Sequence, residues 1–161
     1  RDLLDYAADY VDFAKIYAMN ALLVPAKTLK AILGIYRDAG VRTYSGGILF
    51  EYACHTHSFD EMLRHLKGLG FNALEISENY LELGKAERGH YIAEAQKAGF
   101  EVIYEFGRKN PSAPFGLADL ESAVEEVRAL DVHHVIIEQS EIDMIAASSR
   151  VSSEPPTSPF T

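Results

Sequence analysis

The sequence predicts an α/β fold, a parallel (β/α)8 TIM-type barrel that is incomplete, with about five βα units. Short apolar runs rich in Val, Ile and Tyr recur along the chain, each followed by a longer stretch with helical spacing and then a glycine. The runs begin about 30 residues apart, the length of a strand plus a crossover helix, so neighbouring strands should pair in parallel through right-handed connections. Nearly every run ends in a charged or functional side chain. A barrel gathers such ends at one mouth, whereas a doubly wound sheet shares the alternation but reverses its strand order at a switch point.

Taken in order, the strands are expected at 11–16, 41–44, 73–76, 102–105 and 134–137, each a β-branched or aromatic run. Helices are expected at 25–39, 58–69, 85–98 and 117–130. Pro25 suits a first helical turn, Ser58 with Glu61 three residues on reads as a capping box, and Gly40, Gly70 and Gly99 suit helix C-terminal caps. Five strands do not close the usual eight. The chain opens on Arg1 with no initiator Met, and its first residues read as the end of a helix, so it is expected to be a piece of a longer protein. Residues 1–147 are expected to form the partial barrel. Residues 148–161 hold ten Ser, Thr or Pro among fourteen and are expected to be a disordered tail, in which Pro156 and Pro159 make a PxxP pattern that composition alone explains.

Of 161 residues, 48% are apolar and 24% charged, the balance of a globular chain. Lys and Arg number 15 against 24 Asp and Glu, a net charge of −9 that a nucleic-acid backbone or an anionic membrane surface repels. With no long apolar run and no secretory leader, a cytoplasmic protein with neither nucleic acid nor membrane as partner is expected. Cys54 has no second cysteine to pair with, which suits a reducing compartment.

Read to their carboxyl ends, the strands deliver Lys15; then Glu51, just past Ser45-Gly46-Gly47; then Glu75 with Ser77; then Glu105 with Arg108 and Lys109; and last Glu138 with Glu141. A single such carboxylate reads as a solvated loop charge or an interstrand ion pair. Four brought to one level repel one another unless a cation or a proton lies among them, and Mg²⁺ suits an all-oxygen site. Gly46-Gly47 lets backbone amides approach an anion, or simply makes a tight turn. Lys15, Arg108 and Lys109 supply positive charge suited to a phosphate or sulfonate.

The segments YVDFAK, YSGGILFEYA, LGFNALEIS, AGFEVIYEFGRKNP and VIIEQSE resemble successive motifs of the phosphosulfolactate synthase family of coenzyme M biosynthesis, over residues 4–141. The resemblance implies a (β/α)8 barrel of which this chain matches the second to sixth units. It also implies a Mg²⁺-dependent addition of sulfite to the methylene carbon of phosphoenolpyruvate. Carried over by position, it casts Lys15, Glu105 and Lys109 as catalytic, and Gly46, Gly47, Ser77 and Arg108 as substrate-binding. It casts Glu51, Glu75, Glu138 and Glu141 as metal ligands, and Gly107 also matches. The chain departs from the family where a Gly-Trp-Gly-Thr-Ser-like run is replaced by Tyr17-Ala18-Met19-Asn20-Ala21. It departs again at Ile48 for threonine, Glu78-Asn79 for Asp-Gly, Arg108 for lysine and Ser140 for arginine, and it lacks a first strand with an Asp-Lys-Gly motif. These changes fall at the mouth while the strand and helix cores stay family-like, so a retained fold with altered or lost chemistry is expected.

Two alternatives stand beside the synthase: another metal-using barrel enzyme of the sugar isomerase or epimerase kind, and a non-catalytic relative with a structural or stress-related role. The open edges of a partial barrel also suit a homo-oligomer. Cys54-His55-Thr56-His57 carries zinc-type ligands, but no further set completes a site and His133-His134 lies at the start of a strand, so the segment reads as a surface loop. Tyr17, Tyr44, Tyr52, Tyr80 and Tyr104 near strand ends suit either a pocket lining or plain packing.

Overall fold

The structure is a computed structural model that describes residues 3–17, 19–109 and 113–151, the last three as backbone only. Five strands, β1 (Phe13–Ile16), β2 (Arg42–Ser45), β3 (Ala73–Ser77), β4 (Glu101–Phe106) and β5 (His134–Ile137), form one sheet in the order β1-β2-β3-β4-β5. Every adjacent pair is parallel. With strand order following chain order there is no switch point, so the sheet is a half-barrel arc with all carboxyl ends on one side.

The helices are α1 (Leu4–Ala7), α2 (Asn20–Leu23), α3 (Ala26–Asp38), α4 (Gly47–His55), α5 (Phe59–Leu69), α6 (Lys85–Lys97), α7 (Leu117–Arg128) and α8 (Gln139–Val151), with a 3₁₀ turn at Ala8–Tyr10. Strand alternation divides the apolar residues between two faces. Leu74, Ile76, Val102, Tyr104 and Phe106 meet the helices in the main core with Leu33, Phe50, Leu66 and Ile92. Tyr44, Ala73 and Ile103, with Phe13 and Ile136, pack on the concave side. Below them both oxygens of Glu101 accept from Arg42 Nη1, at 2.8 and 2.7 Å, and Glu101 pairs with His134 at 3.0 Å, tying β2, β4 and β5 at the end away from the site.

Several local expectations change. The first strand starts at Phe13, because Val11 caps the 3₁₀ turn with its amide on Ala8 O at 3.1 Å and Asp12 is a bend. Ser58 precedes α5, but its side chain makes no cap bond; its amide is held by Ala53 O at 2.8 Å and its hydroxyl lies 2.7 Å from Thr56 Oγ1. That conformation turns the hydroxyl away from the helix amides, so the capping box does not form. Gly40, Gly70 and Gly99 do end helices at positive φ (78°, 106° and 81°).

The Gly46-Gly47 loop is the start of α4, and Cys54-His55, expected in a surface loop, is that helix's last turn. Helix α8 also was not expected. It carries residues 148–151, assigned to the tail, because nothing breaks a helix before Pro155; residues 152–161 lie outside the described residues. Among the described residues no helix is long and apolar enough to cross a membrane.

Candidate active site at the carboxyl ends of the strands

Register sets the site. Lys15 lies beside Tyr44 and Ser77 beside Glu105, while Ser45, the last residue of β2, lies beside Leu74, so β3 and β4 run on past the ends of β1 and β2 and Lys15 must reach along to meet them. Lys15 Nζ reaches across to Glu75 Oε1 at 2.9 Å, and the side chain of Glu75 is only 1% exposed. The same oxygen accepts the Gly47 amide at 2.6 Å, so the first N–H of α4 and the helix dipole hold this carboxylate in place. Gly47 is required there: a Cβ would lie 2.2 Å from Ser77 Oγ and 2.5 Å from Ser77 Cβ. The other oxygen, Glu75 Oε2, is buried and has no hydrogen-bond partner, an exception to the rule that buried polar atoms are satisfied.

Glu105 accepts Asn79 Nδ2 at 3.0 Å. Burial and then the like charge of Glu75 push its carboxyl up to about 7, against the opposing pull of Lys15. Burial lowers the Lys15 ammonium, but its hydrogen bond to Glu75 and the nearby carboxylates outweigh this and leave it raised. Lys109 pairs with Glu138, an interaction that raises the lysine and lowers the acid. Glu138 is near enough to Glu105 to share a hydrogen bond and to Lys15 to feel its charge. Lys15, Glu75, Glu105, Lys109 and Glu138 therefore form one interleaved group of acids and cations.

Three other expected residues are engaged elsewhere, and a fourth, Glu141, stays within charge range of Lys109. Glu51 accepts Ser77 Oγ at 2.5 Å and Asn79 N at 2.9 Å on one oxygen, and Tyr80 N at 2.8 Å and Leu81 N at 3.2 Å on the other. Those donors fill the four lone-pair sites of a carboxylate, so Glu51 clamps the loop after β3 and has no lone pair left for a metal. Ser77 is committed to the same clamp. Arg108 pairs with the exposed Glu82 at 3.1 Å. Glu141 is buried against Gly107, whose added Cβ would lie 2.7 Å from Glu141 Cδ, and accepts Ser140 Oγ at 3.0 Å. The Gly47 amide is likewise already given to Glu75, which removes it as a cradle for an outside anion.

The four-glutamate metal set expected from sequence is thus not assembled, and no group of three or more metal-type ligands converges among the described residues. What fits Mg²⁺ is narrower. Glu75 Oε2, buried and unpaired at the mouth, suits an ion that takes one carboxylate and completes its shell with water and substrate oxygens.

Sequence reasoning missed two features. Asn79 joins three expected site residues, through its amide to Glu51, its carbonyl to the Lys109 amide at 3.0 Å and its side chain to Glu105. On the helix side of the sheet, Glu78 takes Arg88 Nε at 2.5 Å and Tyr104 OH at 3.0 Å, while Arg88 also holds Glu126 at 2.6 Å. That network ties β3, β4, α6 and α7 together. Its partners are up to 38 residues apart, so no local motif announces it.

The model of the family described as (2R)-phospho-3-sulfolactate synthase (ComA) matches residues 1–154. The phosphosulfolactate synthase of Methanocaldococcus jannaschii is 37% identical over 110 residues, 68% of this chain and 44% of that protein. That of Methanothermobacter thermautotrophicus is 37% identical over 111 residues, covering 69% and 43%. That of Bacillus subtilis is 29% identical over 110 residues, covering 68% and 42%. The chain therefore spans less than half the length of these relatives. Among solved structures, a D-psicose 3-epimerase crystallised with D-fructose is similar at TM-score 0.47 and 13% identity, covering 84% of this chain and 56% of that one. N-acetylneuraminate lyase from Mycoplasma synoviae is similar at TM-score 0.45 and 16% identity, covering 95% and 50%.

Proposed function

Since the chain belongs to the (2R)-phospho-3-sulfolactate synthase (ComA) family, we propose that it carries the strand-end half of an active site that adds sulfite to phosphoenolpyruvate. The observation that supports this most is the interleaving at the mouth: Lys15 on Glu75, Lys109 on Glu138, and Glu105 between them. Two anionic reactants repel each other, and holding them in contact needs fixed cations. Lys15 and Lys109 are both about one-third exposed, so each can exchange its carboxylate for a substrate oxygen.

In the reaction the sulfur lone pair of sulfite forms a C–S bond to the methylene carbon. The π electrons of the double bond move toward C2 and the substrate carboxylate, and C2 takes a proton. The phosphate ester is untouched, and the product is phosphosulfolactate. Glu105, whose carboxyl burial and the like charge of Glu75 push up to about 7 in the metal-free site, would be the acid that supplies the proton to C2. Glu75 Oε2 would hold Mg²⁺, which when bound neutralises the charge that develops on the substrate carboxylate.

The test is to incubate a full-length version with phosphoenolpyruvate, sulfite and Mg²⁺ and to follow phosphorus NMR and product mass. A new phosphorylated sulfonate supports the reading. Unchanged phosphoenolpyruvate contradicts it and favours the non-catalytic scaffold.

A further inference from the structure

We propose that Asn79 is a positioning residue, whose side-chain amide fixes the orientation of the Glu105 carboxyl group at the mouth. The inference rests on the functional reading above. It starts from position: Asn79 follows β3 by two residues and is buried beside Glu51, Glu105 and the backbone of Lys109.

Asn79 is only 8% exposed, and its three polar contacts point in three directions. Its backbone N–H donates to Glu51 Oε1 at 2.9 Å, within the clamp that fixes the loop. Its carbonyl accepts the Lys109 amide at 3.0 Å, which pins the backbone of the lysine paired with Glu138. With both backbone groups fixed, the carboxamide is aimed at Glu105, and Nδ2 donates to Oε2 at 3.0 Å. Among the described residues this is the one neutral donor to Glu105. It commits Oε2 as an acceptor and so fixes the rotation of the carboxyl group and the direction in which Oε1 faces.

A loop amide therefore sets how a catalytic carboxyl group is turned. Such a role acts on the chemical step more than on substrate capture, since the cations that hold the anions are elsewhere. A merely structural asparagine would instead lower stability and change kcat and KM together.

The experiment uses the full-length protein and compares Asn79→Ala, Asn79→Asp, Asn79→Gly and Asn79→Gln for kcat, for KM with phosphoenolpyruvate, for melting temperature and for the configuration of the product at C2. The inference predicts that Ala, Gly and Asp lower kcat roughly 10- to 100-fold with KM nearly unchanged. It also predicts that product from these variants loses configurational purity, because water competes to deliver the proton, and that Gln, which keeps the NH₂ donor, recovers part of both. Wild-type kcat and a single C2 configuration in Asn79→Ala and Asn79→Gly would overturn this inference and leave the functional reading standing. A loss of kcat that follows melting temperature across the series would overturn it too. No product from the wild-type protein would sink both.

Discussion

Glu75 Oε1 lies 2.6 Å from the Gly47 amide, so a strand-end carboxylate caps the helix that starts beside it and leaves its second oxygen turned into the site without a partner. This contact needs the helix backbone against β3, which a side chain at position 47 would prevent. Gly47→Ala should destabilise the protein by roughly 3 kcal/mol or more, since its Cβ would overlap Ser77. Gly68→Ala, inside α5 with nothing within 4 Å of the added Cβ, should stabilise it by about 0.5 to 1 kcal/mol. Denaturant melts of both variants decide this. Equal effects would remove the steric argument.

Glu51 is the case where geometry and sequence part most clearly. All four of its lone pairs are taken by Ser77 and the 79–81 amides, so Glu51→Gln should destabilise the fold by about 1 to 3 kcal/mol while Mg²⁺ affinity stays unchanged. Calorimetric titration with Mg²⁺ beside a melting curve separates the two effects. Lost metal binding in a well-folded Glu51→Gln would restore it to the metal site.

The strands were legible because β-branched and aromatic runs between glycines mark buried parallel strands, and their order followed from the charged residues at their carboxyl ends, which favour a barrel over a doubly wound sheet. Helix α4 was not, because Gly46-Gly47 reads as a turn and Ile48-Leu49-Phe50 shows no polar face. Leu49, Phe50, Glu51, Ala53 and Cys54 are all buried, so the amphipathic signal is absent. Lys15, Glu75, Glu105, Lys109 and Glu138 were legible as strand-end charges. The diversion of Glu51 and Arg108 was not, since their partners are Ser77 with the 79–81 amides and an exposed glutamate, none of which a local motif encodes. Asn79 stood out only as a departure from the family pattern.

Glu105 makes stability depend on pH. Its folded-state value of about 7 lies above its ordinary 4.5, so the fold favours the protonated form. That contribution is fully present below about pH 4.5 and is lost as pH rises through about 7. In metal-free buffer, denaturant melts from pH 5 to 8 should show stability falling by roughly 1 to 2 kcal/mol from this group, a range set below the full shift because water reaches the rim. Glu105→Gln should flatten the profile and be the more stable protein at pH 8. An unchanged slope in the variant would assign the dependence to another group.

Burial pushes the Cys54 thiol up to about 11, against an ordinary value of 9.0. At pH 8 the folded protein should therefore react with iodoacetamide on the order of 100-fold more slowly than the guanidinium-unfolded chain. Equal rates, followed by mass spectrometry, would show that the last turn of α4 opens readily.

The central claim is that the mouth takes a divalent cation and an anionic substrate together, because Glu75 Oε2 needs a positive partner and the lysines must give up carboxylates to receive an anion. Its most direct test is calorimetric titration of a full-length version with phosphoenolpyruvate, with and without Mg²⁺, in the wild type and in Lys109→Ala. The account predicts that Mg²⁺ strengthens phosphoenolpyruvate binding at least tenfold, with reciprocal strengthening of Mg²⁺ binding. It also predicts that Lys109→Ala weakens the anion by about 1.5 to 3 kcal/mol while changing Mg²⁺ affinity far less. Phosphoenolpyruvate binding that is equally strong without Mg²⁺, or absent from the full-length protein altogether, would contradict it.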